Sequence, residues 1–504
     1  MMTIRTGAVA AFICLSGNLF AQKKTEYNLE FNPQHYQTQT LTLDGKTFKV
    51  RAFEKIVYVK NPVDTSRQIM NIYIPETYYE GGAVNGYTAE TAPIFFPNQI
   101  GGYMPAKPAT TGNNPMGGMP LMANRPQGTS DGGVMGAGKK QSAVVVAMSK
   151  GYVVASAGAR GRTTNTGKAP AAIVDLKAAI RYLKFNDQKM PGDAQKIISN
   201  GTSAGGAMSS LLGANGDNSD YEPYLSALGA APASDEIFGV SAYCPITNLD
   251  HADMAYEWQF NGINTYQNRR FGPDATNSPT QNTLSEQQIK VSSELKTLFP
   301  AYLNSLKLKD KTGKVLTLDP SGNGNFKELI KSYVIASAQK ALNQGTDLTK
   351  QIWLKIDNGK VTDIDFAAYL NYMERQKTPP AFDALDVSTP ENQLFGTSQI
   401  DKQHFTDFGV KNSTVAGATK ANQLEIKMMN PMNYIGASAT KTAAHWRIRH
   451  GSKDKDTGLA ISVILGTYLL NNGKDVNLEL PWDKPHSGDY DLDELFTWAD
   501  SICK

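Results

Sequence analysis

Short, unbroken apolar runs alternate with helix-patterned stretches, first between residues 93 and 243 and again after 446, and this alternation limits the chain to few architectures. Pro93-Ile94-Phe95-Phe96, Lys196-Ile197-Ile198-Ser199-Asn200 and Phe238-Gly239-Val240-Ser241-Ala242-Tyr243 are strand-length candidates, and Ala143-Val144-Val145-Val146-Ala147 and Tyr152-Val153-Val154-Ala155 are continuous apolar runs that lack a polar face. Such runs predict strands covered on both sides. Between them, Ile173, Leu176, Ile180 and Leu183 recur at helical spacing behind Pro170, predicting a helix over 171–185. Gly205 to Leu212 reads as a second helix. Strands alternating with helices build a mainly parallel α/β sheet. Upstream, Leu41-Thr42-Leu43, Phe48-Lys49-Val50 and Ile72-Tyr73-Ile74 alternate apolar with polar residues, an antiparallel entry with Asp44-Gly45 as its hairpin turn.

The pattern stops after Cys244-Pro245 and returns at Trp446-Arg447-Ile448-Arg449-His450. Between these points the chain is mostly helical, with candidate helices at 286–298, 326–342 and 364–375. After the return come a helix near 460–470, a strand at 476–480 and a last helix over 492–502, opened by the box-like Asp491-Leu492-Asp493-Glu494. The simplest division is one α/β domain in two parts, 22–247 and 436–504, interrupted by a mainly helical insertion at 248–435. No internal repeat is evident.

Residues 1–21 differ from the rest. Arg5 precedes an apolar stretch from Ala8 to Phe20 that ends at Ala21 before Gln22-Lys23-Lys24, the layout of a cleaved signal peptide. Ser16-Gly17-Asn18 interrupts a stretch already too short to span a bilayer, and Ala11-Phe12-Ile13 before Cys14 makes a poor lipidation site. An exported protein, periplasmic or extracellular, is expected. Export leaves Cys244 and Cys503, and sequence leaves open whether they pair. With 50 basic and 47 acidic residues, a net +3 and no long run of one sign, nothing favours an electrostatic grip on nucleic acid or anionic lipid. Function must come from a local site, and the sequence does not disclose an oligomeric state.

The motif G-x-S-x-G places a nucleophilic serine on a strained turn between strand and helix in α/β-hydrolases. It is short enough to arise by chance, and here it occurs twice. Gly128-Thr129-Ser130-Asp131-Gly132 lies in a Gly/Pro-rich loop with neither strand nor helix beside it, and reads as a flexible turn. Gly201-Thr202-Ser203-Ala204-Gly205 follows a strand and opens a small-residue helix, the required context. A serine hydroxyl needs an imidazole base and a carboxylate to orient it. Among six histidines, His486 sits in a Pro485-His486-Ser487-Gly488 loop between the last strand and last helix, where this fold carries its base. The acid should follow the preceding strand, and Ser452-Lys453-Asp454-Lys455-Asp456-Thr457 offers Asp454 and Asp456. Residue types and spacing do not choose between them. For the oxyanion hole, Ala204 supplies one N–H, and Gly102 or Gly101 in Gln99-Ile100-Gly101-Gly102-Tyr103 supplies the second.

Taken together, these segments resemble the bacterial tannases, tannin acyl hydrolases of the α/β-hydrolase superfamily with a large inserted lid. The resemblance runs over most of the mature chain. It is carried by Pro97-Asn98-Gln99-Ile100-Gly101-Gly102-Tyr103-Met104, Gly201-Thr202-Ser203-Ala204-Gly205-Gly206, Lys377-Thr378-Pro379-Pro380-Ala381-Phe382-Asp383, Pro390-Glu391-Asn392, Asp454-Lys455-Asp456-Thr457 and His486-Ser487-Gly488-Asp489-Tyr490-Asp491. It implies Ser203, Asp454 and His486 as the triad, so it resolves the choice of acid. It also implies Lys377, Glu391 and Asp456 as galloyl-binding residues. Read from residue types alone, Lys377 and Glu391 are solvated charges.

The expected protein is thus an α/β-hydrolase fold with a large, mainly helical lid insertion, a secreted serine esterase for galloyl esters that needs no cofactor or metal. Its partner is a small-molecule galloyl ester. A feruloyl or broad aryl carboxylesterase is the alternative within the same chemistry, because a triad specifies only acyl transfer. A non-catalytic polyphenol-binding protein is the alternative of a different class.

Overall fold

The computed structural model describes residues 26–112, 141–268 and 280–504. The expected signal at 1–21 and the Gly128–Gly132 motif lie outside the described residues. The entry forms a meander of β1 (Gln37–Leu43), β2 (Lys46–Val57) and β3 (Ile69–Pro75). Asp44 and Gly45 join the first two with φ of 48° and 77°, the left-handed pair that two-residue hairpins favour. Next come β4 (Pro93–Pro97), α1 (Ala143–Ser149), β5 (Val153–Ala157) and α2 (Ala171–Phe185). They are followed by β6 (Asp193–Thr202), α3 (Ala204–Ala214), α4 (Glu222–Leu228) and β7 (Gly239–Tyr243).

One expected strand is a helix. Ala143–Ala147 begins α1, in which Val144 through Met148 are all buried. A run that is apolar on every side carries no period, so it serves a buried helix as well as a buried strand. α1 is enclosed by β5, β1, β3 and the last helix of the chain, and that enclosure decides its form.

The interrupting segment begins with α5 (Leu249–Phe260), a hairpin of β8 (Thr265–Asn268) and β9 (Thr280–Thr283), and α6 (Glu286–Ser305). It continues through α7 (Asn325–Asn343), a hairpin of β10 (Leu354–Asp357) and β11 (Lys360–Ile364), and α8 (Phe366–Met373). α8 stops short of Arg375 because Glu374 turns left-handed, with φ 64°. Short helices α9 (Pro390–Leu394), α10 (Asp407–Lys411) and α11 (Gln423–Met428) complete it. The chain then adds β12 (His445–Arg449), α12 (Leu459–Asn471), β13 (Asp475–Glu479) and α13 (Leu492–Cys503).

Nine strands form one sheet in the order β1-β2-β3-β5-β4-β6-β7-β12-β13. β1 to β3 and the β3–β5 pair are antiparallel, and the pairs from β5 through β13 are parallel. This is the α/β-hydrolase fold, and among the described residues the segment between β7 and β12 contributes no strand to the sheet. Thr202 of β6 pairs with Tyr243 of β7, Tyr243 with Arg449 of β12, and Arg449 with Glu479 of β13. Four parallel strands therefore end level, and the loops that leave them share one edge of the sheet.

Asp491 corrects a second expectation. It occupies the position before α13, but its side chain makes no cap hydrogen bond. Its carboxylate instead accepts from the Tyr243 hydroxyl at 2.5 Å and pairs with Arg447. The buried guanidinium of β12 outcompetes a helix N–H because charge-assisted pairing is stronger. Cys244 and Cys503 are both buried free thiols. Among the described residues, no helix is long and apolar enough to cross a membrane.

Trp446 docks the returning half of the sheet. It is fully buried, its indole N–H donates to Ala443 O at 2.9 Å, and its ring lies so close to Gly213 of α3 that an added Cβ there would sit 2.9 Å from the ring. Trp446→Ala should lower unfolding stability by about 3–5 kcal/mol through the cavity it leaves. The urea midpoint measures this, and a wild-type midpoint would contradict the docking role.

Candidate active site

Ser203 sits between β6 and α3 with φ 63° and ψ −123°. A non-glycine residue held there stores about 1–3 kcal/mol of strain and persists only where its surroundings fix it. Here the Ser203 N–H donates to Tyr243 O at 3.0 Å and the Ser203 carbonyl accepts from Ile246 N at 3.3 Å and Ala207 N at 2.9 Å. The flanking glycines answer to close approach. A Cβ on Gly201 would meet Gly205 O at 2.3 Å, and one on Gly205 would meet Asn98 Oδ1 at 2.6 Å. Asn98 ties this elbow to the loop after β4, its Nδ2 reaching Asn200 O, Gly205 O and Ser209 Oγ at 3.0–3.2 Å.

The loops after β12 and β13 carry the expected acid and base. His486 Nδ1 lies 2.8 Å from Asp454 Oδ2, and Asp454 is wholly buried. Of the two carboxylates that sequence left open, Asp454 therefore holds the imidazole, while Asp456 Oδ2 stands 3.9 Å from Nε2. Asp454 at Nδ1 keeps the proton there and leaves Nε2 with its lone pair when the ring is neutral. Burial pushes the Asp454 carboxyl up, but the charges of His486 and His450 together with its hydrogen bonds to His486 and Asp456 N outweigh that and hold the group at about 2. Burial lowers His486, yet the Asp454 carboxylate, together with Cys244 and Asp456 beside it, carries it well above its ordinary value. The loops are stitched together by Ser452 N to Pro481 O at 2.9 Å, Lys453 N to Lys484 O at 3.1 Å and Asp483 N to Ser452 Oγ at 2.7 Å. The Ser203 hydroxyl makes no hydrogen bond among the described residues. Nucleophile–base bonds are commonly long in unliganded sites and tighten with substrate.

Ala204 opens α3, so its N–H has no acceptor within the helix. Gly102 has φ 53° and is solvent-exposed, and added Cβ atoms at Gly101 or Gly102 would meet nothing within 4 Å. Gly101 O accepts from Met104 N at 3.0 Å, closing a tight turn over Gly102 and Tyr103, and Arg162 Nε donates to Gly102 O at 2.7 Å. That clamp fixes the orientation of the central peptide of the turn. Nothing in the spacing of Arg162 signals this role.

A charged group lines the same opening. Lys377 Nζ is 3.2 Å from Asp456 Oδ2, with both side chains about one-fifth exposed at 21% and 18%, and the ammonium lies 4.1 Å from the centre of the Phe382 ring. Gln376 Nε2 donates to the other Asp456 oxygen at 3.1 Å. Glu391, on α9, is buried. Burial pushes its carboxyl up, and the nearby Lys377 ammonium opposes that shift. Lys377 and Glu391 are therefore not solvated charges. Asp454, His486, Asp456 and Lys377 are thus linked in one chain of contacts, with Gln376 on Asp456, Arg162 on Gly102 and Asn98 on the Ser203 elbow, three residues that residue types alone did not single out for roles.

Among the described residues, one group brings three metal-ligating side chains together, Cys244, Asp454 and His486, with their atoms within 4.8 Å. His486 and Asp454 are already 2.8 Å apart, closer than the roughly 3.3 Å that two tetrahedral ligands on one zinc keep. Burial pushes the Cys244 thiol up, so it stays protonated and donates to Ser487 O at 3.3 Å. The cluster is arranged for proton transfer.

The BD-FAE model, an α/β-hydrolase family, matches residues 131–303. No curated protein gives a significant match. Among solved structures, the chain is similar to a Fusobacterium nucleatum tannase at 48% identity and TM-score 0.86, covering 95% of this chain and 100% of that one. A Lactobacillus plantarum tannin acyl hydrolase matches at 43% and 0.84, covering 94% and 99%. A tannin acyl hydrolase in complex with ethyl gallate matches at 44% and 0.84, again covering 94% and 99%.

The Asp454–His486 pair makes a direct prediction. In an NMR titration, His486 should lose its proton above the ordinary 6.5. Asp454→Asn removes the charge that raises it, so the midpoint should move to lower pH. A midpoint unmoved by Asp454→Asn would refute the assigned coupling.

Proposed function

The chain belongs to the tannases, and from that membership we propose that it is a serine esterase that cleaves galloyl esters through an acyl-enzyme. The reading rests above all on one observation, that the strained Ser203 elbow and the Lys377–Asp456 pair with buried Glu391 open onto the same edge of the sheet. Ser203 Oγ attacks the ester carbonyl while His486 Nε2 takes its proton and Asp454 stabilises the imidazolium. The N–H groups of Ala204 and of Gly102 or Gly101 receive the developing oxyanion. His486 returns the proton to the departing alcohol, and a water deprotonated by the same imidazole releases gallic acid. Three adjacent phenolic hydroxyls suit this wall, since Asp456 and Glu391 accept from them and Lys377 donates to a phenol oxygen. A relative crystallised with ethyl gallate supports the same substrate class.

Discrimination follows from unpaired charge. A substrate without the hydroxyls leaves buried acceptors without partners, which a polar site rejects strongly. Methyl gallate should exceed methyl ferulate in kcat/KM by about 10² or more. Equal or reversed rates would favour the feruloyl or broad aryl reading. Lys377→Met and Glu391→Gln should each cost the gallate reaction about 10–100-fold, the effect of an unpaired buried polar group, and cost 4-nitrophenyl acetate far less. A serine-directed fluorophosphonate should label the wild type and fail on Ser203→Ala. Labelling that persists in the variant would place the nucleophile elsewhere, and a folded wild type that resists labelling would favour a polyphenol binder.

We also propose export with removal of residues 1–21, on the sequence alone. The intact mass of protein recovered from the periplasm or medium should correspond to a chain starting at Gln22, and a full-length mass there would refute cleavage.

A further inference from the structure

The two charges of the Lys377–Asp456 pair come from segments far apart in the chain, yet both segments are fastened to one face of α5. Asp253, Tyr256 and Glu257 stand at helical spacing on that face and are all buried. The Tyr256 hydroxyl accepts from Lys377 N at 3.1 Å and Gln376 N at 3.3 Å, and donates to Lys455 O at 2.9 Å. Lys455 lies between Asp454 and Asp456. One oxygen thus bridges the backbone of the ammonium-bearing segment and the backbone of the carboxylate loop. Glu257 pairs with Arg375, whose Nε donates to Lys377 O at 2.7 Å. Asp253 accepts from Phe382 N at 2.7 Å and Asp383 N at 3.0 Å. The N–H and the carbonyl of Lys377 are therefore both held from α5.

A lysine head sits at the end of a flexible stem and is placed only by what holds its backbone and its tip. The tip of Lys377 meets Phe382 and Asp456, and the backbone answers to Tyr256 and Arg375. We propose that the Tyr256 hydroxyl is a positioning residue that sets galloyl specificity by holding Lys377 and Asp456 at one fixed separation. This rests on the esterase reading above. Removing the oxygen leaves two half-buried N–H groups and one carbonyl without their partner, so the segments re-seat and the spacing between ammonium and carboxylate changes.

Tyr256→Phe tests this, because the ring stays in place and only the hydroxyl goes. For methyl gallate, KM should rise about tenfold, the cost of one lost buried partner, with most of the loss in KM rather than kcat. The gallate-to-acetate ratio of kcat/KM, with 4-nitrophenyl acetate as reference, should fall by about the same factor. In a Lys377→Met background the same change should move that ratio by less than about twofold, since a residue acting through Lys377 is not additive with it. A Tyr256→Phe variant that loses both substrates equally, or one whose effect persists undiminished in the Lys377→Met background, would overturn the proposal. Failure of the wild type to turn over methyl gallate strikes the esterase reading itself. Normal wild-type turnover with an unaltered Tyr256→Phe strikes this inference alone.

Discussion

The level ending of β6, β7, β12 and β13 is the constraint on which the rest depends. Thr202, Tyr243, Arg449 and Glu479 stand in one row, and the ladder runs one step further through Ser203 N to Tyr243 O, Cys244 N to Arg449 O and His450 N to Glu479 O. Side chains on the loops just beyond that row can meet only if the row holds. A slip of one residue would turn every side chain of a strand to the opposite face. The Arg447–Asp491–Tyr243 cluster reinforces the row, since it joins β7, β12 and the start of α13 through charge-assisted bonds in a buried place. Breaking one member would leave an uncompensated charge, which is why such a cluster defends a register even where it adds little net stability.

On this rigid edge the charged wall is assembled from elsewhere. Glu391 stands on a five-residue helix whose capping box is formed by Thr389 and Asn392. Asn392 Nδ2 also donates to the buried Asp383 at 2.6 Å, and Asp383 receives His404 Nδ1 at 2.7 Å and Thr406 Oγ1 at 2.6 Å. A short helix has little stability of its own, so these bonds fix where Glu391 stands. The interrupting segment thereby brings Lys377 and Glu391 to the sheet edge that carries Ser203, Asp454 and His486, as loops on a sheet edge do in many enzymes. Carboxylates and an ammonium kept apart from bulk water are costly unless paired, and Lys377 and Asp456 pair with each other.

Much of the candidate site was legible in the amino-acid order. Ser203 was readable because a strand before it and small residues after it leave a G-x-S-x-G serine one geometry, and His486 because it falls between the last strand and last helix. Asp454 and Asp456 were equivalent to any pattern argument; the 2.8 Å contact with His486 separates them, and family resemblance had chosen the same one. The β1–β2 hairpin was explicit in Asp44-Gly45. Segment 143–147 was misread because hydrophobicity without a period does not distinguish a buried helix from a buried strand. Asp491 was misread because the guanidinium that claims it lies 44 positions away.

The sequence by itself determined the fold class, the interruption between the two sheet halves and where the candidate nucleophile and base stand, because these are local properties: apolar period, turn chemistry and the small residues a strained elbow demands. Only the tertiary structure decided which carboxylate faces the imidazole, that Glu391 is buried, and that Tyr256, Gln376 and Arg162 serve the site. Those roles belong to contacts across long stretches of chain. A tyrosine on a helix face has the same local signature whether its hydroxyl meets solvent or bridges two distant backbones, and only packing distinguishes the two.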